Sequence, residues 1–538
     1  MVDALDLKSN LTRGIGSSPI QSIFILYKQM DITVIKSFFP EVFLSLSLLF
    51  QLVFNIRLIN NLKYNYPIVD QEVFYQTLFI LISMFFLYTN LKIEGYFSNF
   101  LFINDDSTRI IKMLVLITCF LTFNIVLQTF KLQKLNFFEY FVIFLISLLS
   151  LLLLISASDL ISFYLVIEMQ ALCFYVLASF KRDSSFSAEA GLKYFISGAF
   201  ISGFFLLGSS LLYFALGTLN FNALTILLSF PFSESNSTLE YITFIGIIFI
   251  TSTLLFKISC APFHFWSPDV YDGSPLSSTI IFSIIPKLSL ITFFIKWLCC
   301  LNIYSSNISF MLLICGISSV FIGTFYALNQ KRLKKLIIYS SIAQIGFIAI
   351  GLASNTLGGY SAIIFFLIIY LITSILVWGH FSLFYSFQQK INTFFNKTSS
   401  PLFISSLTNL FNKNKLWGFS FIIIFFSIGG IPPLTGFLAK ILILFEVINS
   451  NNIIIASVLI ILSSISMFYY IRMIKIMFFE PKGIDKSYEK FQIIFHNSSL
   501  DKIYLCVAFL LFLLMVSFFF PTGLLILCEY IILNLSGF

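Results

Sequence analysis

Apolar stretches of about 20 residues, the length that crosses a bilayer, follow one another along nearly the whole chain with short polar breaks between them. Fourteen such windows stand near residues 38–60, 73–92, 108–130, 137–157, 159–180, 189–217, 240–262, 275–298, 307–327, 333–353, 358–387, 416–448, 452–478 and 503–532. This pattern predicts an all-α integral membrane protein of about fourteen transmembrane helices, because a helix in lipid satisfies its own backbone polar groups. Residues 1–37 read as an N-terminal extension, 388–415 as the longest polar loop, and 503–538 as a C-terminal transmembrane helix.

Two windows are interrupted. In "LLFKISCAPFHFWSPDVYDGSP", Pro262 removes a backbone donor shortly after Lys257, and Pro268 and Gly273 follow. In "FFSIGGIPPLTGFLAKILIL", Gly429, Gly430, Pro432, Pro433 and Gly436 break the run just before Lys440. The broken window is the fourth of each of two stretches, 137–298 and 307–478, which predicts two five-helix repeats with broken helices seven and twelve. Helices one to four fill 38–157, the fourth opening the first repeat. Interrupted spans at corresponding places in two halves point to an ion pathway.

Charge in the loops supports this count. Loops after odd-numbered windows carry Arg57 and Lys63, Lys131 and Lys134, Lys181 and Arg182, Lys331 to Lys335, Lys390 to Lys415, and Lys482 to Lys490, whereas the even loops carry few basic residues. Short inside loops concentrate Lys and Arg, so both chain ends are expected on the outer side. The exception follows window seven, where "SPDVYDG" is acidic.

Composition narrows the function. The 538 residues are 59% hydrophobic and 10% charged, with 70 phenylalanines and a mean hydropathy of +0.97, which sets soluble-domain chemistry aside. Eight cysteines lie scattered with no CxxC, and neither GxGxxG nor GxxxxGK[ST] occurs, so no metal, iron–sulfur or nucleotide site is expected in this chain. The net charge of +8 sits in topological loops, so no nucleic-acid partner is expected. "MVDALDLKSN" has no basic n-region before an apolar core, and no cleaved signal is expected.

Four ionisable residues fall near mid-span: Glu168, Lys257, Lys287 and Lys440. Each costs about 2.5–3.5 kcal/mol on insertion scales, which calls for partners or internal water. Glu168 is expected to pair with Lys257, either as a static tether between helices or as a control point for a proton. A lysine that is neutral part of the time also passes a proton. His264, at the first break, reads equally as a proton relay and as a cap for freed carbonyls; His380 and His496 read as surface or interface residues. Gln344, Tyr339, Ser340 and Ser341 either line a water chain or pack helices.

"SDLISFYLVIEMQALCFYVLASFKRD", "FKISCAPFHFWSPDVYDGSP", "NQKRLKKLIIYSSIAQIGFIAIGL", "GGIPPLTGFLAK" and "FYYIRMIKIMFF", in that order, resemble the subunit 2 family of the proton-pumping NADH:ubiquinone oxidoreductase, respiratory complex I. The resemblance implies an antiporter-like core of two inverted repeats with a hydrated path at mid-membrane. By motif it places Glu168, Lys257, Lys287 and Lys440 in a proton relay. NADH, FMN, iron–sulfur clusters and ubiquinone would be handled by other subunits, and the partners would be membrane subunits, other antiporter-like subunits among them, and lipids. The implied location is the mitochondrial inner membrane, with a bacterial plasma membrane or plastid thylakoid as alternatives. Many relatives have histidine where this chain has Gln344, which puts a relay through that position in doubt. A multi-component cation/proton antiporter subunit and a complex I subunit without its own proton path are the competing readings.

Overall fold

The computed structural model describes residues 36–59, 67–89, 95–97, 101–133, 135, 137–229, 237–301, 304–394, 403–408, 415–479 and 498–535. The expected extension 1–37, most of the loop 388–415, and His496 therefore lie outside the described residues, save for short flanks. Among the described residues the chain is almost wholly helical. The N-terminal part holds α1 (Phe39–Ile59), α2 (Pro67–Thr89), a two-stranded antiparallel hairpin of β1 (Gly95–Phe97) and β2 (Phe102–Asn104), and α3 (Asp106–Leu132). There follow α4 (Glu139–Ser156), α5 (Leu160–Ala178), α6 (Ser185–Leu216), α7 (Phe221–Ser229), α8 (Ser237–Lys257), α9 (Trp266–Gly273) and α10 (Leu276–Cys299). The remainder is α11 (Ser305–Asn329), α12 (Leu333–Ala353), α13 (Leu357–Phe394), α14 (Lys415–Gly429), α15 (Thr435–Asn449), α16 (Ile453–Phe479), α17 (Ser498–Phe519) and α18 (Thr522–Leu535).

Each expected window falls on one of these helices or on a consecutive pair. Among the described residues, eleven helices are long and apolar enough to cross a membrane alone, and twelve spans result when one bent pair is counted. That pair corrects the single C-terminal helix expected over 503–538: α17 and α18 meet at 88°. Pro521 lies in the break, and a proline in a helix removes an i−4 hydrogen bond and clashes with the carbonyl it would have used.

α10 is the axis of the fold. Its apolar window is buried throughout, and it packs on α3, α4 and α13. A charge on this helix is therefore held inside protein rather than against lipid. Elsewhere the outward faces stay apolar, as with Phe195, Ile196, Phe200 and Phe214 on α6, because their solvent is hydrocarbon.

The two breaks are built alike. After α8, Cys260 N–H donates to Leu255 O at 2.9 Å and Ser259 N–H to Phe256 O at 2.9 Å, with Ser259 at φ 62°. After α14, Ile431 N–H donates to Phe426 O at 3.0 Å and Gly430 N–H to Ser427 O at 3.1 Å, with Gly430 at φ 84°. Both are Schellman ends, in which a left-handed residue turns the chain and two orphan carbonyls are satisfied. Three residues on, each break carries a cis proline, Pro262 and Pro433.

Candidate functional site: a row of buried charges

Asp159 accepts from the Ile161 N–H at 3.3 Å and starts α5, which puts Glu168 near the middle of that helix. Lys257 is the last residue of α8, immediately before the first break. Their side chains come together as expected, with Lys257 Nζ 3.9 Å from Glu168 Oε1 and relative exposures of 13% and 22%. At that separation the ions attract without a hydrogen bond. Glu168 Oε1 has no hydrogen-bond partner in the protein. The pair is loose, and separating it breaks no hydrogen bond between the two side chains.

Lys287 follows Pro286 inside α10. Pro286 has no N–H, so the Phe282 carbonyl four residues back loses its helical donor; the Tyr271 hydroxyl donates to it at 3.3 Å. One residue further, the Ser283 carbonyl accepts from the Tyr370 hydroxyl at 3.3 Å, and Lys287 Nζ donates to that same hydroxyl. The ammonium also sits 4.5 Å from the Tyr370 ring centroid. A tyrosine hydroxyl both accepts and donates, and Tyr370 does both here, between the Lys287 ammonium and the Ser283 carbonyl.

Small cavities flank Lys287. One of about 20 Å³ is lined by Lys257, Gln170, Tyr194, Tyr271, Pro286 and Lys287. A second, of about 30 Å³, lies beyond Tyr370 among Ser340, Ser341, Gln344, Thr373, Ser374 and Tyr470. One water needs about 10–15 Å³ of such space together with polar partners, so the first has room for one or two and the second for two or three. The sequence left open whether Tyr339, Ser340 and Ser341 line water or pack helices; Ser340 and Ser341 border this mostly apolar cavity with Gln344, and Tyr339 does not.

Lys440, on α15, reaches back across the second break to donate to Gly429 O, the last carbonyl of α14, at 2.7 Å. Its Nζ lies 5.4 Å from the Phe347 ring centroid. Gly429 follows Ile428, which lines the second cavity, while Lys440 itself lines neither cavity. His264 is buried in the first break but lines neither cavity; the Ser267 N–H donates to its carbonyl at 3.0 Å.

A vestibule of about 670 Å³ opens on the face of the odd, basic loops, bordered by Lys193, Asp269, Asp272, Arg332, Lys334 and Lys335. Here the exception in loop charge resolves. Asp272 pairs with Arg332 at 2.8 Å and Lys335 at 3.8 Å, and Asp269 with Lys193 at 3.2 Å, so the acidic helix α9 is neutralised by its basic neighbours.

Sequence reasoning missed two features. His380 is a correction: it is fully buried, with Nδ1 2.8 Å from Leu376 O and Nε2 2.7 Å from Ser420 Oγ, tying α13 to α14. A second charge cluster went unseen because its members lie near span ends, where charge is cheap. Lys112 Nζ donates to Glu41 and Asn104, Arg109 pairs with Asp106 at 3.0 Å, and Lys296 Nζ donates to Ile155 O at 2.6 Å. The capping residue Asp105 beside Asp106 was the available signal.

The model of the NADH:quinone oxidoreductase/Mrp antiporter transmembrane family matches residues 157–468. Among curated relatives, NADH-ubiquinone oxidoreductase chain 2 of Marchantia polymorpha is 35% identical over 449 residues, covering 82% of this chain and 89% of its own. NADH-quinone oxidoreductase subunit N of Pelagibacter ubique is 33% identical over 492 residues, covering 90% and 96%. Among solved structures, a chain of respiratory complex I from Thermus thermophilus superposes with a TM-score of 0.70 at 23% identity, covering 90% of this chain and 98% of its own. A chain of the Mrp complex from a Dietzia species superposes at 0.72 and 18%, covering 93% and 98%. At these identities the last two attest a shared fold.

Proposed function

The chain belongs to the NADH:quinone oxidoreductase/Mrp antiporter transmembrane family, and on that premise we propose that Glu168, Lys257, Lys287 and Lys440 move protons through it. It is an antiporter-like, proton-pumping membrane subunit of complex I, an H⁺-translocating oxidoreductase, and a multi-pass inner-membrane protein working among other membrane subunits. In our reading the inner membrane is mitochondrial, and the chemistry of NADH, FMN, iron–sulfur clusters and ubiquinone takes place in those other subunits.

The observation that carries the relay is the loose Glu168–Lys257 pair at 3.9 Å, with Lys257 and Lys287 lining one small cavity. When Glu168 stands beside it, the Lys257 ammonium is favoured. When the pair opens, the uncompensated charge in a low-dielectric interior favours proton loss toward Lys287. Lys287 hands on through the Tyr370 hydroxyl and the second cavity toward Lys440, where Gly429 O stabilises the arriving ammonium. Water from the vestibule supplies the basic-loop end. His264 takes a supporting place, holding the break rather than carrying the proton.

The test is Lys287→Met in a complex that assembles. Protons moved per NADH oxidised should fall; an unchanged yield removes the relay. Co-purification with flavin- and iron–sulfur-containing subunits separates this reading from a free-standing cation/proton antiporter.

A further inference from the structure

Opening the Glu168–Lys257 pair requires a second position for the carboxylate, and α5 itself carries a donor with no acceptor. Glu168 Oε1, the oxygen 3.9 Å from Lys257 Nζ, is buried without a hydrogen-bond partner in the protein. So is the Tyr175 hydroxyl, on a side chain 7% exposed. One atom accepts and the other can donate, and native structures rarely leave such a buried hydroxyl unpaired. Tyr175 follows Glu168 by seven residues, about two turns, so the two share a face of the helix.

The packing of α6 brings them closer than that spacing suggests. Tyr164 stacks on Phe205 at 6.0 Å, and Ser179 meets Gly191, so α5 and α6 run antiparallel with Ala171 about level with Gly198. A Cβ on Gly198 would fall on the Tyr175 hydroxyl. The hydroxyl therefore lies near the level of Ala171, one turn from Glu168: a helical side chain leans toward the N-terminus of its own helix, and Gly198 leaves it the room. Between the two groups stand Ala171, with a single methyl, and Leu172, which points outward at 56% exposure. The Glu168 side chain is itself 22% exposed, so packing does not lock it in place.

The two groups that bracket the carboxylate are fixed, by contrast. The Tyr175 ring meets the Tyr194 ring edge-on at 4.8 Å, Tyr194 stacks on Trp266 at 4.8 Å, and Trp266 Nε1 donates at 3.0 Å to Phe256 O, the carbonyl before Lys257. This run of rings ties the hydroxyl to the end of α8 that carries the ammonium. The carboxylate is hydrogen-bonded to neither. The titratable groups in electrical contact with it are Lys257 from α8, Tyr164 and Tyr175 on α5, and Tyr194 from α6. Tyr164 precedes Glu168 by one turn and leans away from it.

Taking the relay as given, we propose that Tyr175 is a positioning residue for its first pair: the hydroxyl is a second seat, donating to the Glu168 carboxylate when that group leaves Lys257. No covalent bond breaks in the exchange. The carboxylate trades an ion pair without a hydrogen bond for a hydrogen bond without an ion pair, and Lys257 is left to pass its proton on.

Tyr175→Phe keeps the ring and its stacks and removes the hydroxyl. The complex should assemble in parent amount, while proton-coupled turnover falls by about 10–100-fold, what one hydrogen bond to a charged group contributes; parent turnover overturns the proposal. The ratio of parent to variant turnover should shrink as pH falls, because a protonated Glu168 leaves Lys257 without needing the seat, and a ratio flat with pH marks a packing defect and overturns it as well. On the unmodified complex, density maps recorded during NADH oxidation should show Glu168 in a second position, within hydrogen-bond distance of the Tyr175 oxygen. Glu168 held at Lys257 alone overturns the seat, and this map decides if Tyr175→Phe does not assemble. An unchanged yield in Lys287→Met sinks the relay without touching either position of Glu168, so the two failures are distinguishable.

Discussion

In the proposed relay, Tyr370 is the residue on which continuity turns. Its hydroxyl takes a hydrogen bond from Lys287 and gives one to Ser283 O, while its ring lies 4.5 Å from the same ammonium. Tyr370→Phe removes the hydroxyl and keeps the ring. The complex should assemble, and proton-coupled turnover should slow by up to roughly 100-fold, the low end of what a positioned proton-transfer group contributes; NADH oxidation with and without uncoupler measures it. Lys287→Arg asks a different question. An arginine keeps the charge and does not deprotonate in proteins, so pumping should be lost as in Lys287→Met, and retained pumping would mean that Lys287 acts only as a fixed charge.

At the scale of elements, the second break depends on close approach. A Cβ at Gly436 would stand 1.8 Å from Ser427 O, a backbone atom that cannot move aside. Gly436→Ala should drive α15 away from α14 and destabilise by about 1–3 kcal/mol, seen as less assembled complex in the membrane. The first break holds Ser259 at φ 62°, a conformation that costs a non-glycine residue about 1–2 kcal/mol. Ser259→Gly should therefore raise the thermal stability of the purified complex. The breaks were legible in the sequence because proline and glycine declare themselves, and the mid-span charges because a charge in lipid stands out against its neighbours. Tyr271 and Tyr370 were not: among 24 tyrosines neither differs from a packing residue until the carbonyls loosened around Pro286 are seen to face them. The bend at Pro521 was hidden by unbroken apolarity on both sides. His380, placed by sequence at an interface, became a buried tie only when α14 came alongside.

The whole molecule is joined by two sets of charges of unequal weight. The Asp272–Arg332 bridge links the end of α9 to the start of α12, with side chains 17% and 46% exposed. Exposed pairs contribute about 0–1 kcal/mol, so Asp272→Asn should leave assembly and thermal stability nearly unchanged. Lys112 and Glu41, at 0% and 5%, are the contrary case. Removing one member of a buried pair typically costs about 3–5 kcal/mol, and Lys112→Met should visibly reduce assembled complex, as native gels of membranes would report.

The vestibule has a further consequence, which is electrical. Filled with water, a mouth of about 670 Å³ bordered by charged side chains would sustain little voltage. The membrane potential, about 2.3 kcal/mol per elementary charge per 100 mV, must then fall across the thinner insulating remainder that holds Lys287 and Lys440. The field there is steeper than the bilayer's own thickness implies. In the proposed relay each proton step along the row is thereby set against voltage over a shortened distance, and the back-pressure of an energised membrane is felt most by the residues at its centre.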